Sequence, residues 1–212
     1  ASKITMPPMP DSPSLCGLVL IGGNSSRMGS DKALLKYHDQ PEWRRVFNLL
    51  ESHTEKTFVS LNPEQGDTNE FSDVPRIVDR WDSIGPINGI ASAMQEHPHA
   101  AWLVAACDMP NLNDAAISQL VTARKPDQVA TVFVDAEDRL EVLCAVYEPS
   151  IAEHLFAIIA NKRYSLYRCL ERLAVKRISI DNPPTLTNLN TPEESDNYRR
   201  HGVKYSSRKE NK

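Results

Sequence analysis

The chain lacks the marks of several large protein classes. It has only four cysteines in 212 residues, and no two of them form a Cys-x-x-Cys pair. Cys16, Cys107, Cys144 and Cys169 are scattered, so neither a zinc ribbon nor a thioredoxin-like motif is supported. Three lie inside apolar runs, where buried free thiols are common, and a reduced, cytoplasmic protein is the simplest expectation. The six histidines show no metal-ligand spacing. No excess of basic charge is present: 24 Lys and Arg stand against 28 Asp and Glu, a net charge of -4, which argues against a general nucleic-acid binder. No window approaches the roughly 18 uninterrupted apolar residues of a membrane span. Neither the P-loop string G-x-x-x-x-G-K-[ST] nor the dinucleotide fingerprint G-x-G-x-x-G occurs. Internal repeats and long linkers are missing too.

The start, "ASKITMPPMPDSPS", has no apolar core of signal-peptide kind and reads as a flexible leader over residues 1–14. The end, "RRHGVKYSSRKENK", suggests a disordered basic tail over 201–212. A single domain is expected over 15–200, a length that supports one substantial core. Within it, short apolar runs alternate with segments of helical period. "LCGLVLI", "KTFVSLN", "PRIVD", "AAWLVAACD", "QVATVFVD", "LEVLCAVY" and "VKRISI" read as strands. "PEWRRVFNLLESH" spaces Trp43, Val46, Phe47 and Leu50 as one helical face, with Pro41 suited to a first turn. "INGIASAMQEH", "AAISQLVTARK", "IAEHLFAIIANK" and "LYRCLERL" read as further helices, the second of these capped by Asn113 or Asp114. Such alternation predicts an α/β fold of three layers around a mostly parallel central sheet.

In sheets of that kind ligands lie beyond the carboxyl ends of the strands. Five candidate strand ends stop on polar or glycine-rich residues. They are Gly22–Gly23, Asn62, Asp79, Asp108 and the stretch "TLTNLNTPEE". Each alone is an ordinary turn residue. Together, in a parallel sheet, they would meet on one rim. The loop "LIGGNSSRMGSDK" combines glycines that let backbone approach an anion with Arg27, a planar fork, and Lys32, a compact charge. It is either a phosphate cradle or a loop with two solvated cations. Asp108, ending a strongly apolar strand, either caps the next turn or offers an oxygen to a hard cation such as Mg²⁺. Asn188 or Asn190 would supply a neutral second ligand. That set would suit transfer of a nucleotidyl group, with cations neutralising charge at phosphorus.

These residues carry a resemblance. "LIGGNSSRMGSDKALL" is similar to the signature "LAGGxSxRMGxDKxLL" of the molybdenum cofactor nucleotidyltransferases, and other segments follow in the family's order. "SIGPINGIASAM" resembles "GPLAGI", "VAACDMPNL" resembles "PCDMPxL", "RLEVLCAVY" resembles "RLEPLxALY", and "NLNTPEE" resembles "NxNTPEE". The match runs from about residue 15 to 198. Its "CDMP" and its asparagine pair favour the guanylyltransferase branch over the cytidylyltransferase branch.

The resemblance implies a Rossmann-like nucleotidyltransferase that joins GMP from GTP to the phosphate of molybdopterin or Mo-molybdopterin and releases pyrophosphate. By that match Leu20, Ile21, Gly22 and Gly23 contact the nucleotide, Arg27 and Lys32 its phosphates, and Asn62 and Asp79 the guanosine. Arg27, Lys32 and Asp108 would be the catalytic set, with Asp108 and Asn190 at Mg²⁺ and Asn188 toward the pterin. Arg163 and Ser165, in "NKRYSL", match a segment near the second substrate. Molybdoenzyme chaperones or other cofactor-biosynthesis proteins are conceivable partners, and neither nucleic acid nor membrane is implied. Three departures bear on substrate identity: Ile21 and Asn88 stand where the family usually has Ala, and Val142 where it usually has Pro. The alternatives are a cytidylyl- or sugar-phosphate nucleotidyltransferase, or a non-catalytic nucleotide-binding relative. Met28 reads as packing.

Overall fold

The computed structural model describes residues 12–21, 40–66, 69–180, 183–187, 194, 197 and 198. Nearly all of the expected leader, the expected tail, and Gly22, Gly23, Arg27, Met28, Lys32, Asn188 and Asn190 lie outside the described residues.

The seven apolar runs form seven strands: β1 (Leu15–Leu20), β2 (Lys56–Leu61), β3 (Arg76–Val78), β4 (Ala101–Ala106), β5 (Ala130–Val134), β6 (Leu140–Tyr147) and β7 (Val175–Ser179). They make one sheet in the order β3-β2-β1-β4-β6-β5-β7. β1 runs parallel to β2 and β4, β2 to β3, and β5 to β7. β6 is antiparallel to both of its neighbours, β4 and β5. Every other strand therefore points the same way.

Helices α1 (Glu42–Glu51), α2 (Pro63–Gly66), α3 (Ile87–Glu96), α4 (Asp114–Thr122), α5 (Ala152–Ala160) and α6 (Leu166–Leu170) fill the connections. Alternate residues of each buried strand feed opposite cores, as a period of two requires. Leu18, Leu20, Trp102 and Val104 pack with α3, α5 and α6 on one face. Val19, Ile21, Leu103 and Ala105 pack with α1 and α4 on the other. Central β4 is buried along its whole length, which explains its uninterrupted apolar run.

Asn113 caps α4: its side chain accepts from the N–H of Ala116 at 3.1 Å. The Asp114 carboxylate is instead drawn to His53, 2.7 Å away. α3 approaches the sheet so closely that a Cβ at Gly89 would sit 2.2 Å from Ser60 Oγ and 2.9 Å from Leu20 Cδ2. Only glycine lets this helix begin where it does.

Candidate active site

Six strands end on one rim, and the amino end of β6 joins them there. The pairing continues past the strand ends. Ile21 N–H donates to Ser60 O at 3.3 Å, Asp79 N–H to Leu61 O at 2.8 Å, and Cys107 N–H to Leu20 O at 3.3 Å. These bonds fix the places where β1, β3 and β4 release the chain. Ile21, Asn62, Asp79 and Asp108 are thereby brought to the same rim, at the mouth of the loop that follows Ile21.

Leu20 and Ile21 reach that rim with buried side chains. Leu20 packs on the α3 face and Ile21 on the α1 face. The branched Ile21 side chain thus fills the core, and only its backbone faces the rim. Asn62 makes a reciprocal cap with Gln65. Its Oδ1 accepts from Gln65 N–H at 2.8 Å, and Gln65 Oε1 accepts from Asn62 N–H at 3.1 Å. The two Nδ2 hydrogens have no partner among the described residues. Asp79 accepts from Ser60 Oγ at 3.0 Å. Burial raises its carboxyl to about 6, against a smaller lowering by the serine bond.

The segment after β3 is clamped by Asn88. Its buried Oδ1 accepts from the N–H groups of Arg80 and Trp81, both at 3.2 Å, while its Nδ2 donates to Trp81 O. An alanine there would leave those groups without this partner. Asn88 therefore bears on the site by shaping the Asp79–Trp81 segment.

Asp108 stands two residues past β4. The turn after it is held from α1, where Arg45 donates to Met109 O at 2.9 Å and to Leu112 O at 2.6 Å. The same guanidinium pairs with Glu42, which is fully buried. A buried charge is tolerable only when paired and hydrogen-bonded, so this pair holds α1 and the Asp108 turn in one arrangement.

The structure adds a residue to which the sequence reading assigned no role. Facing β5, the register of β6 jumps: Val132 pairs with Ala145, but Phe133 with Glu141. The bulge bends β6 at the rim and re-aims its side chains. Glu141 Oε1 accepts from Leu143 N–H at 2.8 Å, and Tyr147 OH donates to Val142 O at 2.6 Å, so these two looped-out backbone groups are satisfied by nearby side chains of β6. Val142, the departure from proline, lies within this bulge. Burial raises the Glu141 carboxyl to about 7. The Leu143 bond opposes the rise, and the charge of Asp108 adds a smaller contribution to it. Glu141 also lines a hollow of about 220 Å³ with Leu186 and Thr187, just ahead of Asn188. The only signal in the sequence was the segment "RLEVLCAVY", whose glutamate resembles an ordinary strand-edge charge.

Arg163 and Ser165 lie apart from these groups, in the connection between α5 and α6. Ser165 caps α6, its hydroxyl accepting from Arg168 N–H at 3.3 Å, and the Arg163 side chain is exposed. Both border a hollow of about 640 Å³ on that flank. Among the described residues no group of three or more His, Cys, Asp or Glu side chains could by itself hold a metal ion. One or two carboxylates, completed by substrate phosphates, are what Mg²⁺ typically takes from a protein, and Asp108 just past the end of β4 fits that donor chemistry.

Residues 17–177 match the family model described as MobA-like NTP transferase domain. A Synechocystis protein named molybdenum cofactor biosynthesis bifunctional protein is 36% identical over 182 residues. That alignment covers 85% of this chain and 52% of the relative, so the chain spans about half of that protein. A Clostridium perfringens protein named "probable molybdenum cofactor guanylyltransferase" is 31% identical over 159 residues, 74% of this chain and 78% of the relative. In fold the chain is similar to the crystal structure of molybdopterin-guanine dinucleotide biosynthesis protein A from Archaeoglobus fulgidus. The TM-score is 0.73 at 24% identity, covering 87% of this chain and 97% of the other.

Proposed function

The chain belongs to the MobA-like NTP transferase family, and on that premise we propose that it transfers GMP from GTP to the phosphate of molybdopterin or Mo-molybdopterin. In this reaction a phosphate oxygen of the pterin bonds to the α-phosphorus of GTP. The bond from that phosphorus to the β-bridging oxygen breaks, and pyrophosphate leaves. The observation that carries the reading is the shared rim. Ile21, Asn62, Asp79 and Asp108 end four neighbouring strands there, beside a loop whose residues match a triphosphate-binding signature.

In this reading the backbone from Leu20 through Gly23 lies against the nucleotide. Arg27 and Lys32 hold its phosphates, and the Nδ2 hydrogens of Asn62 and the Asp79 carboxylate hold the guanosine. Asp108 binds Mg²⁺ together with Asn190. When bound there, Mg²⁺ supplies charge neutralisation at the phosphates. Glu42 and Arg45 hold the Asp108 turn against α1, and Asn88 holds the segment after Asp79 against α3. Arg163, Ser165 and Asn188 lie toward the second substrate. The protein works in the cytoplasm and hands its product to other cofactor-biosynthesis proteins. Among the described residues no helix is long and apolar enough to cross a membrane.

The test is incubation with Mg²⁺, molybdopterin and each of the four NTPs, read by product mass. Addition of GMP is expected, and CMP instead would favour the cytidylyltransferase alternative. Asp108→Ala is expected to abolish metal-dependent pyrophosphate release. Unchanged release in that variant would remove Asp108 from the metal site.

A further inference from the structure

Among the described arginines, most side chains have a partner. Arg44 pairs with Asp73, Arg45 with Glu42, Arg80 with Glu96, Arg124 with Glu148, Arg139 with Asp135 and Arg177 with Asp138. Arg76 donates to Gly66 O at 3.2 Å. The side chains of Arg163, Arg168 and Arg172 make no ion pair or hydrogen bond among the described residues. All three are exposed, and all three line the same hollow of about 640 Å³ between α5 and α6. No carboxylate lines it, and Ala157, Ile158 and Leu173 supply apolar surface within it.

We propose that this hollow is a docking site for a short acidic segment of a partner protein that carries glutamate or aspartate alternating with apolar residues. Arg168 and Arg172 are separated by about one helical turn. The bonds from Glu171 N–H to Tyr167 O and from Arg172 N–H to Cys169 O continue the coil past α6. That puts the two Cα atoms roughly 6 Å apart along the axis. Side chains on one face of an extended chain recur at roughly 6.6 Å, so successive acidic side chains on one face meet successive arginines. Each guanidinium offers a planar fork to a carboxylate. Apolar residues of the segment gain by burial against Ala157, Ile158 and Leu173 within the same hollow. A compact, strongly hydrated anion gains nothing from that apolar surface, whereas a peptide side chain does. The net charge of -4 repels long polyanions and anionic surfaces, so the local cluster selects a short stretch of negative charge. Arg163 and Ser165 bring one end of the hollow to the side proposed for the second substrate. Arg168 and Arg172 lie on the stretch leading back to Val175, and nothing in the proposed chemistry uses them.

The experiment is fluorescence anisotropy of a labelled peptide of alternating glutamate and leucine. It compares the unaltered chain, R168E/R172E, and K56E/K125E, which makes the same change in net charge at exposed positions elsewhere. Saturable, salt-sensitive binding by the unaltered chain and K56E/K125E, at least tenfold weaker in R168E/R172E, is the expected result. Equal binding by the two double variants, or no binding by the unaltered chain, would overturn the proposal. Displacement of the peptide by an equal concentration of inorganic pyrophosphate would make the hollow a compact-anion site instead. Sedimentation of the unaltered chain, but not of R168E/R172E, with phosphatidylcholine–phosphatidylserine vesicles would make it a lipid surface. Either outcome would refute a protein partner.

Discussion

Replacing Glu141 with glutamine should stabilise the protein at neutral pH and leave it unchanged in acid. Glutamine keeps the shape and the oxygen that accepts from Leu143 N–H, so the substitution removes a charge and little else. In the folded chain the carboxyl titrates near 7, raised first by burial, with a contribution from Asp108, against an ordinary value of 4.5. A raised carboxyl means that the folded state holds its proton more tightly than the unfolded state. Stability therefore falls as pH rises from about 4.5 to about 7, and the whole cost is present above that window. At about 1.4 kcal/mol for each tenfold change in proton affinity, the cost reaches at most about 3 kcal/mol. With a urea dependence of roughly 2 to 3 kcal/mol per molar, the denaturation midpoint of Glu141→Gln should exceed that of the unaltered chain by about 1 M at pH 8. The two midpoints should converge near pH 4.5. Measurements with divalent cations chelated, at a series of pH values, decide it. Parallel profiles for the two proteins would refute the reasoning. Asp108→Asn provides an internal check. It removes one source of the raised titration, so the pH-dependent gap should narrow in that background.

Gly89→Ala drives a methyl into Ser60 Oγ, which also holds Asp79. A loss of about 1 to 3 kcal/mol in denaturant titrations is expected, as for overpacking elsewhere. Asn88→Ala removes the partner of Trp81 N–H and Trp81 O and one of the two acceptors of Arg80 N–H, the other being Ser92 Oγ at 3.1 Å. It should cost about 1 to 3 kcal/mol, with faster amide exchange at Trp81. Arg45→Met leaves Glu42 buried without its cation, and a loss of about 3 to 5 kcal/mol in chemical denaturation is expected. Replacing both members, as Glu42→Gln with Arg45→Met, should recover part of that loss. No recovery would mean that the carbonyl contacts to Met109 and Leu112 outweigh the ion pair.

The strand and helix pattern was legible because burial dictates it locally. A strand covered on both faces must be apolar throughout, as in β4, and an amphipathic helix must repeat its stripe, as in α1. The parallel character followed from alternation, and the strand-end residues from the directions that alternation implies. Some details were open locally and closed by distant contacts. Asn113 rather than Asp114 caps α4 because His53, sixty-one residues away, draws the aspartate. Ile21 could have narrowed a pocket or filled the core, and the packing of α1 put it in the core.

What the sequence alone determined is the alternation of elements, and a set of polar stops whose order resembles one enzyme family. Chain-local physics suffices for these, since propensity and period act over a few residues. Only the tertiary structure decided the reversal of β6, the bulge that carries Glu141 at the rim, and the capture of the Asp108 turn by Arg45. It likewise decided which of the described arginines have no side-chain partner among the described residues. Each of these depends on a pairing across tens of residues, and a carboxylate or guanidinium reads the same in sequence whether its counter-charge lies beside it or nowhere near.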